Sequence, residues 1–199
     1  MVAWNLTRRC NLECAHCYIS AGPTETAADE LTTTECLRIA GEILALNPAP
    51  MFILSGGEPL LRDDLPTIAE FAARRGATVV VGTNGTMLTD ERIATLKNAG
   101  VTGVAVSIDS LDARHHDNFR HGRGSLEATT DALARLREHR GGDGNHHEPD
   151  AGADGRRGDP ARPLLSLRLA EWKLVEIARA LMADASFVVL DEPTALLDH

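Results

Sequence analysis

The stretch "MFILSGGEPLLRDDLPTIAEFAARRGATVVVG", Met51 to Gly82, decides the fold. It opens on a short, buried-type apolar run, MFILS (Met51–Ser55), that stops at Gly56 and Gly57. LPTIAEFAARRG then places apolar residues at helical spacing and is closed by Gly76. TVVVG (Thr78–Gly82) is a second, β-branched run. A helix crossing between two strands leaves both running the same way, so this unit predicts a parallel pair.

The alternation continues outward on both sides. Upstream, VAWNL (Val2–Leu6) reads as a first strand, and ECLRIAGEILAL as a helix with Thr32 to Thr34 as candidate caps. Downstream, TDERIATLKNAG is a helix with Thr89 as N-cap and Gly100 after its end. VTGVAVSID supplies a fourth strand and SLEATTDALARLREHR a fourth helix. Four strand–helix repeats predict an α/β fold with a parallel sheet. Each strand runs into a polar loop: CNLECAHCY (Cys10–Tyr18), GGEP, TNGT and SIDS. Ligands of parallel α/β folds sit at the carboxyl ends of the strands, so the four loops are expected to face one site.

At 199 residues, 43% of them hydrophobic, the chain has the composition of a globular protein. The net charge of −9 gives no reason to expect nucleic-acid binding. No apolar run is long enough for a membrane span, and the paired arginines of TRRC are followed by no apolar stretch, so the cytoplasm is the expected compartment. The texture changes after Arg140. Residues 141–163 are rich in glycine and proline without a large apolar residue, and read as a linker in which His146 and His147 are solvated. Beyond it, LAEWKLVEIARALMA reads as a helix and SFVVLDEP as a buried strand. The expected division is 1–140, 141–163 and 164–199.

Of the four cysteines, Cys10, Cys14 and Cys17 share one loop with C-x3-C-x2-C spacing. Structural zinc takes four ligands, and only His16 or Cys36 is at hand to complete such a set. Three thiolates on a short loop can instead hold three irons of a 4Fe–4S cluster and leave the fourth open for a ligand. Cys36, inside a helical pattern, reads as a small apolar core residue.

C-x3-C-x2-C after a first strand resembles the radical S-adenosylmethionine enzymes. SGGEPLL (Ser55–Leu61), GTNGT (Gly82–Thr86) and SIDS (Ser107–Ser110) resemble that family's later strand-end elements, in register. The resemblance implies an incomplete partial (βα) barrel, four units where the family normally has six. It implies a 4Fe–4S cluster on Cys10, Cys14 and Cys17, with S-adenosylmethionine as cosubstrate. Gly56 and Gly57 would admit the ligand close to the backbone. Glu58 would accept from the methionine ammonium, and Pro59 would hold the turn. Asn84 and Ser107 would meet carboxylate or ribose. Asp109 would accept from a hydroxyl or cap the next turn, and His16 and Tyr18 would place rings near the cluster and adenine. An external one-electron reductant would drive cleavage to methionine and a 5′-deoxyadenosyl radical, which abstracts a substrate hydrogen. Within the family, WNLTRRCNLECAHCY, ELTTTE and SGGEPLLRDDL are most similar to the haem-pathway tetrapyrrole branch, with the peptide-modifying branch next; the partner is thus a small molecule or a peptide.

LSLRLAEWKLVEIARALMADASFVVLDEPTALLD (Leu165–Asp198) resembles the ATPase subunit of ABC transporters, from its signature helix to Walker B and the D-loop. Asp191 and Glu192 would be its magnesium and water residues. No G-x-x-x-x-G-K-[ST] phosphate loop occurs in the chain. Two alternatives to the radical enzyme are therefore a non-catalytic, chimeric iron–sulfur protein and an ABC ATP-binding subunit, the second opposed by the absent loop.

Overall fold

The computed structural model describes residues 1–140. The linker and ABC-like readings, with His146, His147, Asp191 and Glu192, lie outside the described residues. Four strands, β1 (Val2–Asn5), β2 (Met51–Ser55), β3 (Thr78–Thr83) and β4 (Gly103–Val106), form one sheet in the order β1-β2-β3-β4. All three pairings are parallel, as the strand–helix alternation predicts. Helices α1 (Thr33–Leu46), α2 (Leu65–Ala73) and α3 (Asp90–Asn98) make the crossovers, and α4 (Ala113–Phe119) and α5 (Ser125–Arg140) follow β4.

Side-chain alternation along the strands decides which face is core. Phe52 and Leu54 of β2 are buried beside Val79 and Val81 of β3, their partners in register. Helix α1 offers this face Cys36, Ala40 and Leu44, and α2 offers Leu65, Ile68, Ala69 and Ala72. Helix α1 packs beside α2, α2 beside α3, and α3 beside α5, so the crossovers share one face of the sheet. That arrangement follows from the fixed right hand of βαβ connections. The helix starts are capped as their sequences require. Thr32 accepts from Glu35 N while Glu35 Oε2 accepts from Thr32 N, a complete capping box, and Thr89 accepts from Arg92 N.

Helix α4 was not anticipated. ARHHDNF lacks an apolar period, and the helix is held by polar contacts at both ends. Asp112 caps its start by accepting from His115 N at 2.7 Å. Asp117 ties its end to the start of α5, accepting from Gly124 N at 2.5 Å, Leu126 N at 3.0 Å and Ser125 Oγ at 3.0 Å. The Leu126 N–H, together with those of Gly124 and the Ser125 hydroxyl, lowers the Asp117 pKa from 3.8 to about 2. The folded value lies below the unfolded one, so the stabilisation is present above pH 3.8 and lost as pH falls towards about 2. Urea unfolding in steps across that window should show wild type losing stability more steeply than Asp117→Asn. Equal slopes would remove Asp117 as the cause.

Candidate functional site

The parallel ladder between β1 and β2 runs on past both strands and builds the site. Leu6 N donates to Ser55 O, Gly57 N to Thr7 O and Glu58 N to Arg9 O, each at 2.8 Å. The GGEP loop therefore lies directly against the chain that enters the cysteine loop. The glycines serve this contact. Gly56 has φ +137°, and a Cβ there would come within 2.4 Å of Thr7 O. A Cβ on Gly57 would come within 2.3 Å of Arg9 O. The close approach expected between these glycines and a ligand is thus, on their Cβ side, an approach to the protein's own backbone.

Cys10, Leu12 and Ala21 form a small buried cluster with Cys14, Cys17 and Ile19 packed on it. All four cysteines are free thiols, and Cys36 belongs instead to the main core. Backbone N–H groups point at two of the loop's sulfurs: Leu12 N lies 3.4 Å from Cys10 Sγ, and Ala21 N lies 3.2 Å from Cys17 Sγ. Such donors suit sulfur that carries negative charge. Burial pushes the Cys10 thiol up, and pushes Cys14 up to about 11 against the pull of Arg120. Loading iron onto the loop must therefore release protons. Among the described residues no three His, Cys, Asp or Glu side chains converge on a point that would hold a single metal ion. Three free thiols on one loop, two of them with an N–H donor directed at sulfur, are the donor set that a 4Fe–4S cluster with one open iron would use.

Several anticipated side chains take part in holding the loops together. The Glu58 carboxylate, expected to receive an ammonium, is fully buried and already accepts from Leu60 N, Thr83 Oγ1 and Asn84 N at 2.9–3.0 Å. Burial raises its pKa, with those N–H groups opposing. Pro59 is buried at the start of a 3-10 turn, Pro59–Leu61. Asn84 is buried beside Cys10 and Asn11. Ser107 is half-buried, and its N–H donates to Thr83 O. Asp109 accepts from Arg120 Nε at 2.5 Å and has His16 Nε2 at 3.6 Å, while Asp112, not Asp109, caps the next helix. His16 stacks on Phe119 with ring centroids 4.5 Å apart. Tyr18 is exposed and donates to Asn5 Oδ1.

Sequence reasoning missed the residues that clamp the loop from outside. Phe119 O accepts from Ala15 N at 2.9 Å, and Arg120 is buried against Asp109. Beneath the loop, Glu30 receives Arg9 at 2.8 and 3.0 Å and also accepts from Thr7 Oγ1. Arg62 donates to Leu6 O, Leu31 O and both Asp64 oxygens.

Residues 4–146 match the sequence profile of the Radical SAM superfamily. The chain belongs to this superfamily. Radical SAM proteins bind a 4Fe–4S cluster and S-adenosylmethionine, and these are the cofactors of this domain. The chain is 44% identical over 138 residues to the AdoMet-dependent heme synthase of Methanosarcina barkeri, covering 69% of this chain and 39% of that protein. It is 33% identical over 135 residues to the mycofactocin maturase MftC of Mycolicibacterium smegmatis, covering 68% and 33%. It thus spans about a third to two fifths of the length of these relatives. Streptococcus suis SuiB bound to S-adenosylmethionine shares the radical SAM fold, with a TM-score of 0.57 at 15% identity over 68% of this chain and 31% of that one.

Proposed function

We propose that residues 1–140 are the cofactor-binding core of a radical S-adenosylmethionine oxidoreductase acting on a haem-pathway tetrapyrrole. The observation that carries this reading is the convergence of three free cysteines, on one loop, with the GGEP and TNGT strand ends. The 44% identity to a haem synthase supports the tetrapyrrole, and the 33% identity to a maturase supports a peptide as the second choice. When bound, the cluster and cosubstrate supply one-electron cleavage of a sulfonium and abstraction of a substrate hydrogen.

The chain's own residues hold and shape that site. Cys10, Cys14 and Cys17 would hold the cluster, and Leu12 N and Ala21 N would offset charge on two of the sulfurs. Carboxylate or ribose contacts at Ser107, and a ring contact at Tyr18, remain open to a ligand. Stacked on Phe119, His16 presents its other face, and Asp109, paired with Arg120, keeps a fixed position near it. Free thiols throughout support a reducing, cytoplasmic setting with an external one-electron donor. Among the described residues no helix is long and apolar enough to cross a membrane.

The full chain, reconstituted anaerobically with iron and sulfide, should bind S-adenosylmethionine and cleave it to 5′-deoxyadenosine under dithionite. A haem-pathway tetrapyrrole should speed that cleavage, and a peptide library should not. A chain that takes up iron yet neither binds nor cleaves the cosubstrate would overturn the enzyme reading.

A further inference from the structure

Asn84 sits just beyond the end of β3 with every polar group engaged. Its backbone N donates to Glu58 Oε2 at 2.9 Å, and its backbone O accepts from Thr129 Oγ1 at 2.9 Å. In the side chain, Oδ1 accepts from Thr86 N at 2.9 Å and Thr86 Oγ1 at 2.7 Å. Nδ2 donates to Asn11 Oδ1 at 2.9 Å and lies 3.8 Å from Cys10 Sγ. Asn11 Nδ2 in turn donates to Thr86 Oγ1 at 2.7 Å. The three side chains form a closed ring, each donating to the next.

The Thr86 backbone fixes which way the Asn84 amide faces. The Thr86 N–H can only donate, so the atom opposite it must be Oδ1. Flipping the amide would set –NH2 against that N–H and turn Oδ1 towards both Asn11 Oδ1 and the Cys10 sulfur. The donor end is therefore held towards Cys10. At 3.8 Å the contact is longer than the Leu12 N–H contact of 3.4 Å to the same sulfur, but both fall on one sulfur atom.

We propose that the Asn84 amide is a positioning residue that raises the reduction potential of the bound cluster through its N–H contact to the Cys10 sulfur. This rests on the cluster-binding reading above. Reduction adds one electron from the external donor and no proton, so the cluster becomes more negative. A hydrogen bond to a ligating sulfur stabilises that added charge and makes the electron easier to accept. Asn84 thereby acts on the electron-transfer step, and its side chain is engaged before any cosubstrate arrives. Its link to Glu58 joins the GGEP loop to the same sulfur.

The test is an EPR-monitored dithionite titration of the full reconstituted chain, comparing wild type with Asn84→Ala, Asn84→Asp and Thr86→Val. Both Asn84 variants should accept the electron on the order of tenfold less readily, about 59 mV lower for a one-electron couple. Asn84→Asp should be the lower of the two, because it adds a negative charge beside the sulfur. Thr86→Val loosens the ring but leaves the amide in place, and should shift far less. Unshifted Asn84 variants with full iron content would overturn the inference, and so would an equal shift in Thr86→Val. Should the Asn84 variants fail to hold iron, wild type labelled with 15N-asparagine decides by ENDOR. A side-chain nitrogen coupling supports the contact, and its absence overturns it. A wild-type chain that holds no cluster counts instead against the underlying cluster reading.

Discussion

Cys10→Ala, Cys14→Ala and Cys17→Ala should each fail to retain the cluster, while Cys36→Ala should keep it. The three loop cysteines share one small pocket, and Cys36 is fully buried in the main core between sheet and helices. Removing even an outer partner of a metal ligand costs about 10–100-fold in affinity, so removing a ligand itself should cost at least that. Iron and sulfide per chain after anaerobic reconstitution and desalting provide the measurement. Cys36→Ala should lose a little fold stability from its vacated core volume, without losing iron. Loss of iron in Cys36→Ala equal to that in Cys14→Ala would overturn the ligand assignment.

Arg62→Ala should destabilise the iron-free chain by about 3 kcal/mol, near the lower end of what breaking a buried ion pair costs. The Arg62 side chain is only 5% exposed, and it reaches Asp64 at 2.7 Å and Glu30 at 3.6 Å. It also satisfies the carbonyls of Leu6 and Leu31. Alanine would strand two carbonyls and leave Asp64 without its cation, while Glu30 keeps Arg9. Asp64 retains some solvent access, which keeps the expected cost from the top of the range. Lysine should recover less than half, since an ammonium cannot reproduce the guanidinium fork. Urea denaturation measures this directly, and a loss under about 1 kcal/mol, the size of an exposed pair, would mean the network is solvent-screened.

The strands were legible because MFILS and TVVVG are short apolar runs bounded by glycine, each followed by a helical period. Thr32 and Thr89 were legible as caps for a local reason: each hydroxyl bonds an N–H three residues on. Helix α4 was not, because its stability comes from Asp112 and Asp117 bonding backbone and not from an apolar stripe. At the site, the grouping of Cys10, Cys14 and Cys17 was legible because they lie within one short loop. The inward roles of Glu58 and Asn84 could not, since their partners Thr83, Asn11 and Cys10 become neighbours only through the ladder. Arg120 and Phe119 stayed hidden for the same reason: their partners Asp109, His16 and Ala15 are brought to them by the turn of α4 onto the cysteine loop.

The strand order β1-β2-β3-β4 repeats the order of the chain, so every strand docks onto one that the ribosome has already made. The cysteine loop is the exception. Translated first among the site's parts, it gains its floor only when Gly57 and Glu58 emerge, and its outer wall only when Phe119 and Arg120 follow. Domains fold largely as units during synthesis. The clamp that closes the loop thus lies more than a hundred residues downstream of the three cysteines, and the pocket is complete only once that part of the chain has been made.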